Sequence, residues 1–315
     1  MVRIVAYKRE FKGVWDDFVE SAKNGLFMFK RDFMDYHADR FVDNSLLFYD
    51  NDELLALLPL SKHGKTLKSH GGLTFGGFIS NANMKQRKMN ACFEALMAYL
   101  KEQKFTRLEY KKSPYIYHES PADEDIYALF VNGGKVLKIE PSTTINLQGS
   151  FKFAKGRKAQ ISRARREGVA VEESEDFEGF IALENEVLAK YHGTKAVHSG
   201  AELALLKGKF SENIKLFVAR REGVLLAGCL LFVYKNLVHT QYMASSELGR
   251  EIGALDLIIS TLLERYKQKH YFDFGISSEN DGRTLNEGLI AQKEGFGARV
   301  VAVECWEVGV NNEDI

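Results

Sequence analysis

Between residues 215 and 245 the chain alternates apolar runs with polar dipeptides. KLFVARR (215–221) is followed by Glu222-Gly223, VLLAGCLLFVY (224–234) by Lys235-Asn236, and LVHTQYMAS closes the stretch at 237–245. Polar two-residue turns between β-rich runs predict hairpins, so these three runs are expected to form an antiparallel meander. Ile252, Leu255, Ile259, Leu262 and Tyr266 then recur at steps of three or four, with Asp256, Ser260, Glu264 and Lys267 off the stripe, which predicts an amphipathic helix. YFDFGI (271–276) reads as the next strand, and a helix-like segment leads to a last strand at 300–308.

The same order occurs earlier. Runs at 45–49 and 53–60 flank Asp50-Asn51-Asp52, and a turn at 62–65 leads to a short strand at 66–69. A helix carries Met89, Cys92, Phe93, Leu96, Met97 and Leu100 on one face, and FTRLEY (105–110) closes the unit. Leu47 lies 169 residues before Leu216, Leu54 lies 171 before Leu225, and Phe105 lies 166 before Tyr271. A near-constant offset predicts a repeated α+β unit with a mixed sheet. Each meander's last strand should lie parallel to the strand after the helix, through a right-handed crossover. The polar patch around Pro141 places the boundary between domains at 1–140 and 141–315.

Composition narrows the class. The 315 residues suit two ordinary domains, and 43 basic residues balance 43 acidic ones, which argues against a DNA binder. Cys92, Cys229 and Cys305 are isolated in apolar surroundings, so neither a disulfide framework nor a metal site is expected. Residues 1–10 lack an apolar signal core, and no apolar run reaches the ~18 residues of a membrane span, so the expected location is cytoplasmic. Walker, CxxC, HExxH and GxSxG patterns are absent from the sequence, which leaves kinase, zinc-enzyme and serine-hydrolase readings without a motif.

Several segments resemble a known family. KGRKAQISRARREGVAV (155–171), FDFG (272–275) followed by LNEGL and QKEGFG, LTFGG (73–77) and YKKSPYIYHESPADEDIYALF (110–130) are similar to motifs of Fem-type peptidyltransferases and related tandem GNAT (N-acetyltransferase-like) proteins. The resemblance spans almost the whole chain. It implies acyl-CoA, foremost acetyl-CoA, or aminoacyl-tRNA as donor, and an amine on a sugar, peptide or cell-envelope precursor as acceptor. It also implies that the C-terminal domain holds the donor, while the N-terminal one serves the acceptor side or is degenerate.

In such a fold the last meander strand and the strand after the helix splay apart, and bare main-chain N–H groups bind the donor carbonyl as it becomes an oxyanion. Here those amides are expected at Met243 and Ala244. The GNAT pyrophosphate pattern, Gln/Arg-x-x-Gly-x-Gly/Ala, is matched by Arg250 and Gly253 with Ala254 following, but Leu255 stands where a small residue is usual. Tyr242 is the candidate general acid for the leaving group. Strict alternation along a strand puts it on the face opposite His239 unless a bulge intervenes. His198, with His192 in the same polar loop, is a candidate base. Asp273 interrupts an apolar strand and is expected in the cleft; its counterpart in the first copy is Arg107. Lys293 matches the family's recurrent lysine and could meet a donor phosphate.

Glu287, Tyr110 and Tyr117 are assigned to the acceptor. Arg163 and Arg165 belong to a basic run, 152–166, that could clamp a polyanion. A solvated face, a packed aromatic core or an ordinary loop explains each of these equally simply. A homodimer is left open. The expected activity is acyl transfer to an amine, with a tRNA-dependent aminoacyltransferase as second reading and a non-catalytic ligand-binding module as third.

Overall fold

At the hairpin between the first two strands of the predicted C-terminal meander, Glu222 and Gly223 both take positive φ, 52° and 81°. That left-handed pair matches the twist of antiparallel strands. The structure is a computed structural model that describes residues 2–69 and 71–310.

Along the chain the elements run β1 (Val2–Ala6), α1 (Lys12–Ser21), α2 (Arg31–Met34), β2 (Val42–Asp43), β3 (Leu46–Asp50), β4 (Glu53–Leu58), β5 (Ser61–His63), β6 (Thr66–Lys68), β7 (Ile79–Ser80), α3 (Gln86–Glu102), β8 (Arg107–Lys111), α4 (Glu124–Val131) and β9 (Lys135–Asn146). There follow α5 (Lys155–Arg166), β10 (Ala170–Ser174), α6 (Phe177–His192), α7 (Gly200–Lys209), β11 (Ile214–Arg221), β12 (Val224–Val233), β13 (Leu237–Ser245), α8 (Glu247–Ile252), α9 (Ala254–Arg265), β14 (Tyr271–Ile276), β15 (Ser278–Glu279), β16 (Thr284–Leu285), α10 (Glu287–Glu294) and β17 (Arg299–Gly309). Two compact units result: residues 1–140 with 280–283 and 302–315, and residues 141–279 with 284–301.

In the second unit the strands lie in the order β10, β11, β12, β13, β14, β9. The meander β11–β12–β13 is antiparallel, β14 runs parallel to β13, and β9 closes antiparallel to β14. The stripe of α9 buries Ile258, Ile259 and Leu262 with Ile161 and Ala164 of α5 in one apolar cluster. α6 packs over β12 and β13. Gly228 permits this approach, since a Cβ there would lie 2.3 Å from the Phe180 ring.

In the first unit the expected meander divides at Pro59. β3 and β4 pair within a four-stranded sheet, β1–β3–β4–β7, whereas β5 and β6 form a separate hairpin in the order β17, β8, β6, β5, β2. Proline lacks the N–H that would continue the β4 ladder, so the chain leaves that sheet here. β6 then runs parallel to β8. The helix α3 buries Met89, Cys92, Phe93, Leu96 and Leu100, as its apolar face predicts.

Candidate active site

The two central strands of the second unit are hydrogen-bonded for only part of their length. β13 and β14 pair at Leu237/Tyr271, Val238/Phe272 and His239/Asp273, and no pairing continues beyond. β13 runs on to Ser245 against β12 alone. A wedge therefore opens after His239.

The point of divergence is tightly built. The Asp273 carboxylate is buried; one oxygen lies 2.8 Å from His239 Nδ1, and the other accepts from Ser142 Oγ and Thr144 Oγ1, each at 2.8 Å. Gly275, at φ 75°, turns β14 away, and its register with β9 shifts between Asp273 and Ile276. Lys293, buried on α10, donates to Gly275 O (2.9 Å), Ile276 O (2.7 Å) and Ser277 Oγ (3.0 Å). Burial lowers its pKa to about 8, and the Asp273 charge pulls it back upward.

A bulge on β13 resets the strand's parity. Leu230 pairs with Tyr242 and Leu231 with Thr240, so Gln241 is the extra residue. His239 and Tyr242 consequently return to one face, the outcome that strict alternation forbids. The phase of the ladder also follows. Ser246 N–H donates to Leu226 O at 2.8 Å, so on alternation Ala244 and Tyr242 face β12, while the N–H groups of Met243 and Ser245 point to the wedge side. Of the two amides expected to bind an oxyanion, that of Met243 points to the wedge side and that of Ala244 belongs to the ladder with Gly228.

Tyr242 is hydrogen-bonded to His198 Nδ1 at 2.6 Å. Burial raises its phenol to about 12; the Gln241 side chain and the backbone of His198 and Val197 act the other way, and the Glu184 carboxylate raises it further. The phenol therefore holds its proton at neutral pH, as a general acid must. The side chain of His192 lies outside the described residues.

Several expected site residues sit elsewhere. Asp273 does not face an open cleft but anchors His239. All three Lys293 donors are engaged with the β14 exit, so a donor phosphate finds no free ammonium. Tyr110 is core: its phenol accepts from Phe78 N–H at 2.6 Å and donates to Asp125 at 2.5 Å. Tyr117 is buried edge-on against Phe75. Glu287 is exposed in the first turn of α10, Arg165 is exposed on α5, and Arg163 holds the Glu251 carbonyl and carboxylate at 2.9 Å each.

The expected pyrophosphate loop is helical. Ser246 Oγ already caps α8 by accepting Gly249 N–H at 3.0 Å, and Glu247 adds a carboxylate to its first turn. Arg250 donates to Ser245 O (3.1 Å), and Ala254 is fully buried. A Cβ on Gly253 would lie 2.6 Å from Gln160 O, so this glycine serves close packing on α5. The segment 246–253 is thus a short capped helix, and the N-terminus of α9 that follows it at Gly253 carries no side-chain cap.

One residue that the sequence reading passed over is Glu184. It lies on the stripe of α6 with Phe180 and Ile181, is buried, and keeps Oε2 without a hydrogen-bond partner among the described residues. An acid at three and four residues from core aromatics and aliphatics was its available signal.

Comparison with known proteins agrees with this architecture. Residues 154–281 match the family described as "Acetyltransferase (GNAT) domain". The FemX crystal structure superposes with TM-score 0.71 at 13% identity, covering 99% of this chain and 98% of that one. The structure of L-PGS from Bacillus licheniformis gives 0.64 at 16% identity, covering 96% of this chain and 92% of that one. A tandem GNAT protein from the clavulanic acid biosynthesis pathway gives 0.54 at 10%, covering both chains completely. No curated protein matches the sequence. The chain is a tandem GNAT-fold protein related in fold to Fem-type transferases. Residues 154–281 thus match a domain family whose activity class is acyl transfer and whose general co-substrate is acyl-CoA. Among the described residues no helix is long and apolar enough to cross a membrane.

Proposed function

We propose that the second unit transfers an acyl group from an activated ester or thioester to a primary amine on a sugar, peptide or cell-envelope precursor. The observation that carries this reading is the separation of β13 from β14 after His239, which leaves the Met243 N–H bare beside Tyr242. A donor carbonyl in the wedge would place its developing oxyanion on that N–H. The Tyr242 phenol would give its proton to the departing sulfur or oxygen, with His198 at 2.6 Å ready to replace it. The reaction belongs in the cytoplasm, where such donors are made.

Acetyl-CoA is the first donor to consider, because acyl-CoA is the general co-substrate of the domain. A specific observation favours aminoacyl-tRNA as second reading. The first turn of α8 is capped by Ser246 and carries Glu247, while Lys155, Lys158, Arg165 and Arg166 stand exposed on α5. A basic helical face suits a polyanionic carrier. Incubating the purified protein with acyl-CoAs or with charged tRNA and a panel of amines, read by mass spectrometry, tests both. A new amide with acyl-CoA supports the first; an amide only with charged tRNA, lost as salt rises, supports the second. Absence of product with every donor sinks the transferase reading.

A further inference from the structure

The four-stranded sheet of the first unit ends at β1, which among the described residues pairs with β3 alone. Tyr7 N–H donates to Ser45 O at 2.8 Å, and the register continues from Ala6 opposite Leu46 to Val2 opposite Asp50. On alternation the main-chain groups of Arg3 and Val5 face β3, so the N–H and C=O of Val2, Ile4 and Ala6 point out of the sheet. Among the described residues these outward groups meet no other element. Natural edge strands are usually blunted by a lysine, a proline or a bulge. β1 has none of these: Arg3, its single charge, lies on the other face, 4.9 Å over the Tyr49 ring. The edge opens on a cavity of about 470 Å³, walled by Val2 and Ile4 on one side and by α3 on the other. Ala91, Ala95 and Ala98 form the α3 wall, and the exposed carboxylates of Glu94 and Glu102 stand along it, with no ion pair among the described residues.

We propose that this edge is a docking site for an extended, lysine-bearing strand of a partner protein, which adds to the sheet antiparallel to β1 and lays alternate side chains into the groove against α3. The main chain supplies the attachment: residues of the partner opposite Val2, Ile4 and Ala6 exchange both hydrogen bonds with them. Those same residues point their side chains to the groove side, because directly opposed residues share a face. Glu94 and Glu102 are eight residues apart on one stripe of α3, about 12 Å along a helix at 1.5 Å per residue, and two strand residues four apart span about 13 Å. The groove therefore matches a pattern of lysine, any residue, a small aliphatic residue, any residue, lysine. The central aliphatic side chain lies opposite Ile4 and packs on Ala95 and Ala98.

Charge selects against the simplest alternative, a second copy of this chain. A second β1 would bring only Val2, Ile4 and Ala6 to the groove side, and it would set Glu94 and Glu102 of two α3 helices against each other with no cation between them. The site lies wholly within the first unit and stands apart from the transferase reading of the second.

The test titrates the full-length protein with end-capped peptides to millimolar concentration and follows its amide and methyl NMR signals. TKTVTKT should shift the Ile4 and Ala6 amides and the Ala95 and Ala98 methyls, whereas TETVTET should bind roughly tenfold more weakly or not at all. Methylating the main-chain nitrogens of the two lysines and the valine should abolish binding, since those N–H groups are the ones that meet β1. Glu94→Lys combined with Glu102→Lys changes two exposed side chains and should reverse the preference, so that TETVTET binds and TKTVTKT does not. Ile4→Pro removes an outward N–H that β3 does not use and should weaken both complexes. Unmoved signals with TKTVTKT overturn the proposal, and so does equal binding of the two peptides or a preference that survives the charge reversal. Sedimentation equilibrium supplies the last arm: a dimer that Ile4→Pro dissociates would make a second copy the occupant and would overturn the lysine-bearing partner.

Discussion

Each unit contains one pair of parallel strands joined through a helix, and the two pairs behave differently. In the first unit β6 and β8 stay hydrogen-bonded throughout. Thr66, Leu67 and Lys68 pair with Arg107, Leu108 and Glu109; Ser69 N–H then donates to Glu109 O, and Gly76 N–H to Lys111 O. In the second unit β13 and β14 part after three pairs. The residues at the corresponding position explain the contrast. Asp273 is buried, is hydrogen-bonded to His239 on β13 and to Ser142 and Thr144 on β9, and lies two residues before a left-handed glycine. Arg107 is partly exposed and reaches Glu109 and Glu307 along the strand surface. A repeated fold thus carries a widening gap in only one of its copies, and there a buried network sits at the point of divergence.

That contrast is most directly broken at the paired positions themselves. Asp273→Ala should cost about 3–5 kcal/mol, since His239 and two hydroxyls lose a buried partner. Arg107→Ala should cost less than about 1 kcal/mol, as expected for exposed ion pairs. Urea unfolding of the two variants compares them, and equal losses would remove the network as the cause of the splay. Next in size, Tyr242→Phe should lower turnover on the order of 10²-fold or more while leaving the melting temperature in place. Unchanged turnover, measured with the active donor, would leave the wedge without its proton source.

The helices preceding the meanders sharpen the comparison. α1 of the first unit buries Trp15, whose N–H donates to Phe29 O at 2.7 Å, so nothing polar is left over. α6 of the second unit buries Glu184 with an oxygen unmatched. The folded-state pKa of Glu184 is raised to about 7, so the native state holds a proton that the unfolded chain has released between the ordinary glutamate value and 7. Stability from this group is therefore highest at low pH and is lost as pH rises toward 7, by roughly 3 kcal/mol at most. In Glu184→Gln that slope should vanish; thermal melts from pH 4 to 8 would show it, and an identical pH profile would mean that the carboxyl titrates normally.

Much of this was legible in the residues. The turn at Glu222-Gly223, the stripe of α9 and the order meander, helix, strand all follow from local periodicity, and the repeated fold follows from their recurrence. The bulge at Gln241 was not legible, because an inserted residue leaves the composition of a strand unchanged while inverting every face after it. Lys293 read as a solvent-facing or phosphate-binding lysine because carbonyl partners contributed by a turned strand carry no sequence signal. Tyr110 and Tyr117 read as a cleft because their partners, Phe78 N–H with Asp125 and the Phe75 ring, come from distant elements. Arg250 and Gly253 matched a loop pattern, yet the Ser246 cap made that segment a helix.

The smallest effect concerns the turn in β14 itself. Gly275 sits at φ 75°, and a built Cβ lies 3.1 Å from His239 Cε1, a tight approach to a ring already held by Asp273. Gly275→Ala should therefore cost about 1–2 kcal/mol from the left-handed backbone alone. The counterpart in the first unit is Glu109, which lies within the continuous ladder opposite Lys68 and pairs with its ammonium at 2.8 Å. Glu109→Ala keeps an ordinary strand backbone and should lose only its ion pairs with Lys68 and Arg107, about 1 kcal/mol. If the splay depends on the left-handed turn, Gly275→Ala should also straighten β14 and let it pair further along β13. Hydrogen exchange at the Met243 amide would then slow in the variant; exchange as fast as in the wild type would show that the Asp273 network holds the wedge open without the glycine.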